Sequence, residues 1–145
     1  MLAIKGIYGK YQVKTLNHGI GYNTAAIELL LPTFGEQLGL KGKVATNWVN
    51  NPTLTSIPAI EAGLIKSIYC FCSEAGMEKY IRQRADIFVV DHNQNLKSNR
   101  IYAQIDEQYA IDMFVRATLQ TDINGNASTI TAKRLWGLIH VEDNN

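Results

Sequence analysis

Ala26-Ile27-Glu28-Leu29-Leu30-Leu31-Pro32-Thr33 is the stretch on which the reading of the fold turns. Its nearly unbroken apolar run reads as a buried strand over residues 26–31 that stops at Pro32. Proline has no N–H to offer a sheet ladder and suits the first turn of a helix. A helix is therefore expected over residues 33–40, with Gly39 and Gly42 supplying the left-handed conformations that end it.

Downstream, residues 44–50 are expected to form a second short helix before Asn51-Pro52. Residues 54–60 and 64–72, rich in β-branched and aromatic side chains, read as two strands. Ser73 is a candidate cap for a helical stretch running through Met77 to Arg84. Period-2 alternation is clearest at Tyr109, Ile111, Met113, Val115, Ala117 and Leu119. With a turn at Asn124-Gly125-Asn126, it predicts a long hairpin over residues 109–141. Upstream, Gly6, Gly9, Gly19 and Gly21 interleaved with Tyr8, Tyr11 and Tyr22 suggest that residues 1–23 are an extended arm on a single domain of residues 1–145.

The chain has 145 residues, 46% of them hydrophobic and 19% charged, which places it on the globular side of the disorder boundary. Fourteen basic against thirteen acidic residues give a net charge of +1, without the electrostatic footprint of a sequence-specific nucleic-acid binder. The longest apolar run is far short of the roughly 20 residues that span a bilayer, so no membrane partner is expected. No secretory signal is visible at the N-terminus, and a cytoplasmic location follows. Cys70 and Cys72 on one strand face would stand about 6.6 Å apart with parallel side chains, a poor geometry for a disulfide.

Motifs that would carry chemistry are weak. Asp91-His92 offers an acid and a base, but neighbours on a strand face opposite sides and no nucleophile turn accompanies them. His18, His92 and His140 are scattered singly, and Cys70-Phe71-Cys72 lacks the second cluster that would complete a zinc site. Gly19-Ile20-Gly21 lacks the third glycine of a dinucleotide fingerprint and, with a strand read over residues 26–31, precedes no helix. The chain therefore reads as no enzyme, with no catalytic residue, no metal and no cofactor. Trp48, Tyr80, Arg82 and Arg84 are the candidate assembly interface, as large or cationic anchors suited to contacts between subunits. A small non-enzymatic ligand- or protein-binding module, using the loop from Asp91 to Asn99, is the alternative.

The layout resembles the C-terminal half of the tailed-phage major capsid proteins, the shell fold shared by encapsulins. Residues 27–33 look like the strand-proline-helix step of that family's axial domain, and Asn47-Trp48-Val49-Asn50-Asn51-Pro52 looks like the helix and loop after it. Residues 67–71 are similar to the next central strand, and residues 109–119 with 131–139 to the closing pair. The resemblance implies an α+β fold, a mainly antiparallel sheet with short helices, as in the axial and peripheral domains of the capsid fold. It also implies a bacteriophage structural protein that self-assembles as a homo-oligomer or packs into a shell with other virion proteins, assembled in the host cytoplasm.

Overall fold

The computed structural model describes residues 1–70, 73–88, 111–116, 118, 120–128, 130–131 and 134–135. Residues 26–31 are helical. They lie within α1, Tyr22–Gln37, a helix of 16 residues with Pro32 inside it. Its buried positions are Thr24, Glu28, Leu31 and Gly35, spaced four, three and four apart, which is one face of a 3.6-residue period. Leu29 and Leu30, by contrast, are 50% and 42% exposed. A continuous apolar run does not by itself separate a buried strand from a helix, and these two exposed leucines filled in the pattern that would have done so. Pro32 is tolerated at the cost of one hydrogen bond, because the carbonyl of Glu28 loses the amide four residues on.

Gly35 marks the closest approach of α1 to the rest of the chain, since a Cβ there would lie 2.7 Å from Leu64 Cδ2. Beyond α1, Gly39 takes a φ of +63° and the amide of Leu40 returns to the carbonyl of Gly35 at 2.8 Å, closing the helix where the glycine pattern places its end.

The segment expected as an arm is folded into the body. Residues Ile4–Gly9 form a π-helical turn that buries Ile4 and Tyr8, and β1, Thr15–His18, is an inner strand of the sheet. The expected helix over residues 44–50 contains instead β2, Asn47–Val49, entered through Ala45 in a left-handed conformation at φ 53°. Residues 54–60, read as a strand, form a 3-10 turn, Leu54–Ser56, and then α2, Ile57–Glu61. Pro58, at the start of α2, suits a first helical turn better than a ladder. Two readings fall on the right elements: β3, Ser67–Tyr69, within the expected strand, and α3, Glu78–Gln83, within the expected helical stretch.

β4, Met113–Val115, completes the main sheet, whose order is β3-β2-β1-β4. Every pairing in it is parallel: Leu16 faces Trp48 on one side and Met113 on the other, and Trp48 faces Ile68. Phe88 adds a parallel bridge at Ile68. The fold is thus mixed α/β about a parallel sheet, where the sequence reading has mainly antiparallel strands. The alternation around β4 is present, with Met113 and Val115 against the core and Phe114 and Arg116 exposed, but its strand partner is β1. The turn at Asn124-Gly125-Asn126 joins β5, Gln120–Thr121, to β6, Ala127–Ser128, in a short antiparallel hairpin. Asp122 Oδ1 accepts from the amides of Asn124 and Asn126 there, and Gly125 takes a φ of +82°. A second antiparallel pair joins β7, Ile130–Thr131, to β8, Arg134–Leu135.

The core lies on one face of the parallel sheet, where Leu16, Trp48 and Ile68 pack with Tyr8, Leu31, Ile60, Leu64 and Met77. Each of these side chains is at most 1% exposed. Because β1 is followed by β2 and β3 on one side while β4 joins on the other, the strand order reverses direction at β1. In open parallel sheets that reversal opens a crevice beyond the carboxyl ends of the strands, the usual place for a ligand.

Candidate functional site

His18 is the last residue of β1 and stands at that crevice. Gly19-Ile20-Gly21 then turns the chain directly into α1, so the glycine pair does follow a strand and open a helix, contrary to its reading from sequence. Gly19 is packed tightly: its amide donates to the carbonyl of Val115 at 2.8 Å, and a Cβ would meet Arg116 Cγ at 3.3 Å. Thr24 Oγ1 reaches back to the carbonyls of Gly19 at 2.5 Å and Gly21 at 2.8 Å, bracing the turn from the first coil of the helix. A cavity of about 330 Å³ opens here, lined among others by His18, Gly19, Gly21, Glu28, Thr53 and Thr55.

Beneath the turn lies a buried polar chain. Tyr8 Oη and His18 Nε2 are 2.7 Å apart, and His18 Nδ1 lies 3.1 Å from Glu28 Oε1. Glu28 Oε2 accepts from Thr53 Oγ1 at 3.0 Å and from Thr55 Oγ1 at 2.5 Å. His18 and Glu28 are each only 3% exposed, and the His18 ring packs 4.9 Å from that of Trp48. Burial, and then the nearby charge of Glu28, push the Tyr8 phenol well above its ordinary value, so it keeps its proton. Glu28 Oε1, a carboxylate oxygen, can only accept, so His18 Nδ1 is the ring's donor to it, and in the neutral ring Nε2 is left to accept from the Tyr8 O–H. The network joins four segments at one point: the opening turn, the end of β1, α1 and the turn before α2.

The arrangement supplies two kinds of chemistry. The first-turn amides of α1 have no partners within the helix, and with its dipole they favour negative charge at the end that opens on the cavity. Backbone donors fixed in this way stabilise charge that develops during acyl transfer. Thr53, Thr55 and the His18–Glu28 pair furnish a hydrogen-bonding wall beside them. Among the described residues no group of His, Cys, Asp or Glu could hold a metal ion, and no helix is long and apolar enough to cross a membrane.

The residues singled out from sequence lie elsewhere. Trp48 is fully buried and its indole N–H donates to the carbonyl of Ala45 at 2.9 Å, so it is a core anchor. Arg82 is exposed on α3. Tyr80 and Arg84 do come together: Tyr80 donates to Glu61 Oε1, and Arg84 donates to Glu61 at 2.6 Å and to both carboxylate oxygens of Asp86 at 2.9 and 3.0 Å. Asp91, His92, the loop from Asp91 to Asn99, His140 and Cys72 lie outside the described residues. Sequence reasoning missed Tyr8, Glu28, Thr53 and Thr55 and dismissed His18. The signal that locates them is the glycine pair between a strand and a helix whose buried positions recur every three or four residues.

Comparison with known proteins identifies the fold's relatives. Residues 1–141 match the family described as malonate decarboxylase, alpha subunit, transporter. The chain is 55% identical over 137 residues to an acetyl-S-ACP:malonate ACP transferase of Malonomonas rubra, covering 94% of this chain and 25% of that protein. A crystal structure of a Pseudomonas malonate decarboxylase hetero-tetramer in complex with malonate matches at a TM-score of 0.85 and 55% identity. The malonate decarboxylase alpha subunit from Acinetobacter baumannii matches at 0.85 and 56%, each match covering 94% of this chain and 25% of the other. The chain spans about a quarter of the length of these relatives.

These matches overturn the capsid resemblance, and with it the roles in virion, shell and bacteriophage assembly, the virion location and the reading as no enzyme. The physical reason lies in the first stretch quoted: the strand-proline-helix step on which the likeness rested is one helix.

Proposed function

Because the chain belongs to the malonate decarboxylase alpha subunit family, we propose that it forms the glycine-turn α/β unit of an enzyme that exchanges acetyl for malonyl on an acyl-carrier-protein thioester. The name of the Malonomonas relative states that exchange. In it, a malonate carboxylate oxygen attacks the acetyl carbonyl and the C–S bond breaks. The released thiolate then attacks the activated malonyl carbonyl, and acetate leaves with the oxygen that malonate supplied. Both steps pass through tetrahedral oxyanions. The observation that carries the reading is the Gly19-Ile20-Gly21 turn, which opens α1 onto the cavity beside His18 and Glu28. Its role is to bind and steady the oxyanion and the anionic acyl group.

Assembly with other decarboxylase subunits is part of the same proposal, in keeping with the hetero-tetramer of the Pseudomonas relative. The test uses the full-length protein containing this chain, with acetyl-S-ACP and malonate, and follows malonyl-S-ACP by mass spectrometry. Turnover is expected, and Gly19→Val should lower it by roughly 100-fold, because a side chain there displaces the turn from Arg116 and Val115. No malonyl-S-ACP from the wild-type enzyme, or undiminished turnover by the Gly19 variant, would overturn the proposal.

A further inference from the structure

The buried carboxylate at the cavity has more than one available role, and its geometry selects among them. A glutamate that lines an acyl-transfer cavity is an obvious nucleophile. Glu28, however, has both oxygens engaged: Oε1 lies 3.1 Å from His18 Nδ1, and Oε2 accepts two threonine hydroxyls at 3.0 and 2.5 Å. An attacking Oε1 would have to leave His18 Nδ1 inside a site where His18 and Glu28 are each 3% exposed, stranding a buried donor. An attacking Oε2 would have to leave the half-buried threonine hydroxyls that hold it.

We infer that Glu28 is a positioning residue of the proposed exchange reaction: it holds His18 in the Nδ1–H tautomer, ties Thr53 and Thr55 to α1, and carries no acyl group. The fixed ring is the residue immediately before the glycine turn, and the threonines line the same cavity as that turn. Glu28 thereby sets the distance between the turn's donors and those threonines. Misplacement of such groups by about 1 Å costs on the order of 100-fold in rate.

The inference rests on the acyl-exchange reading, and one of its readouts is independent of activity. In Glu28→Gln, the new amide keeps one carbonyl oxygen, which the threonine hydroxyls retain. With its NH2 toward His18, Nδ1 becomes the acceptor and Nε2–H donates to Tyr8. Nitrogen-15 spectra of histidine-labelled full-length enzyme, with the His18 signal assigned by its loss in His18→Asn, should show the proton moving from Nδ1 to Nε2. A wild-type ring that carries no proton on Nδ1 would refute the positioning role, whatever the enzyme's activity.

Kinetically, Glu28→Gln should lower kcat by roughly 10- to 100-fold with KM for malonate changed less than about threefold. Thr55→Val keeps the carboxylate intact and should lower kcat roughly fivefold, and Thr55→Ser should restore it. Hydroxylamine added during turnover, followed by peptide mass spectrometry, should leave Glu28 unmodified. A hydroxamate on Glu28 would make it the nucleophile and end the proposal, as would wild-type kcat in both Glu28→Gln and Thr55→Val. Absence of any exchange by the wild-type enzyme would instead defeat the functional reading, while the tautomer result would still decide what Glu28 holds in place.

Discussion

Tyr8, His18 and Glu28 beneath α1, and Tyr80, Arg84 and Glu61 beside α3, each join a phenol, a basic side chain and a glutamate. The first set is closed off, with His18 and Glu28 3% exposed. In the second, the Arg84 side chain is 23% exposed, that of Glu61 56% and that of Asp86 61%. Burial strengthens every interaction in the first network and makes every missing partner costly. Water beside the second can replace whatever a substitution removes, so similar ingredients should respond very differently to the loss of one member.

The sharpest way to break this contrast is Glu28→Ala. It strands the buried Nδ1–H of His18 and removes the acceptor of the Thr53 and Thr55 hydroxyls, and a loss of about 2–4 kcal/mol is expected from urea unfolding. A loss below about 1 kcal/mol would show that water enters the network and that burial is not what distinguishes it. Next in size is Gly35→Ala, which tests how firmly α1 is clamped over the network. The added Cβ would meet Leu64 Cδ2 at 2.7 Å, and overpacking against that buried leucine should cost about 1–3 kcal/mol in thermal unfolding. Tyr8→Phe is milder, since it removes one donor and leaves Nε2 of His18 unpaired. About 1–2 kcal/mol is expected by chemical denaturation, with the contribution of the ring's apolar packing retained.

The two networks also differ in how far the sequence disclosed them. Tyr80 and Arg84 were singled out, with Trp48 and Arg82, as large or cationic anchors, and the structure brings Tyr80 and Arg84 together on Glu61, with Arg84 also on Asp86. Tyr8, His18, Glu28 and Thr55 are distant in sequence and meet only once β1 is central and residues 26–31 are helical. One misread period therefore hid the whole site. With a strand at residues 26–31, Gly19-Ile20-Gly21 opened no helix, Glu28 was an interruption in an apolar run, and the first 23 residues had nothing to pack against. The turn at Asn124-Gly125-Asn126 and the strand around residue 68 were legible because short-range turn chemistry and β-branched composition determine them locally. The parallel pairing of β1 with β4, nearly a hundred residues apart, leaves no such local trace.

The smallest expected effect lies at the exposed network, and pH separates its origin from packing. The Tyr80 hydroxyl, followed by Arg84, holds the Glu61 carboxyl below its ordinary range, and hydrogen bonds from Arg84 do the same for Asp86. Groups whose folded pKa is depressed contribute stability that is present above the unfolded pKa and lost as pH falls through the folded value. Arg84→Ala should therefore cost less than about 1 kcal/mol at neutral pH. That cost should begin to shrink as pH falls through about 4, where the unfolded chain's carboxyls take up protons, and vanish only once pH has passed below the depressed folded values of both groups. Added salt at neutral pH should narrow the same gap, because charges this exposed are screened. A cost that stays constant from pH 7 to pH 3 in urea unfolding would assign the effect of Arg84 to its aliphatic stem. A cost comparable with that of Glu28→Ala would mean that exposure does not separate the two networks.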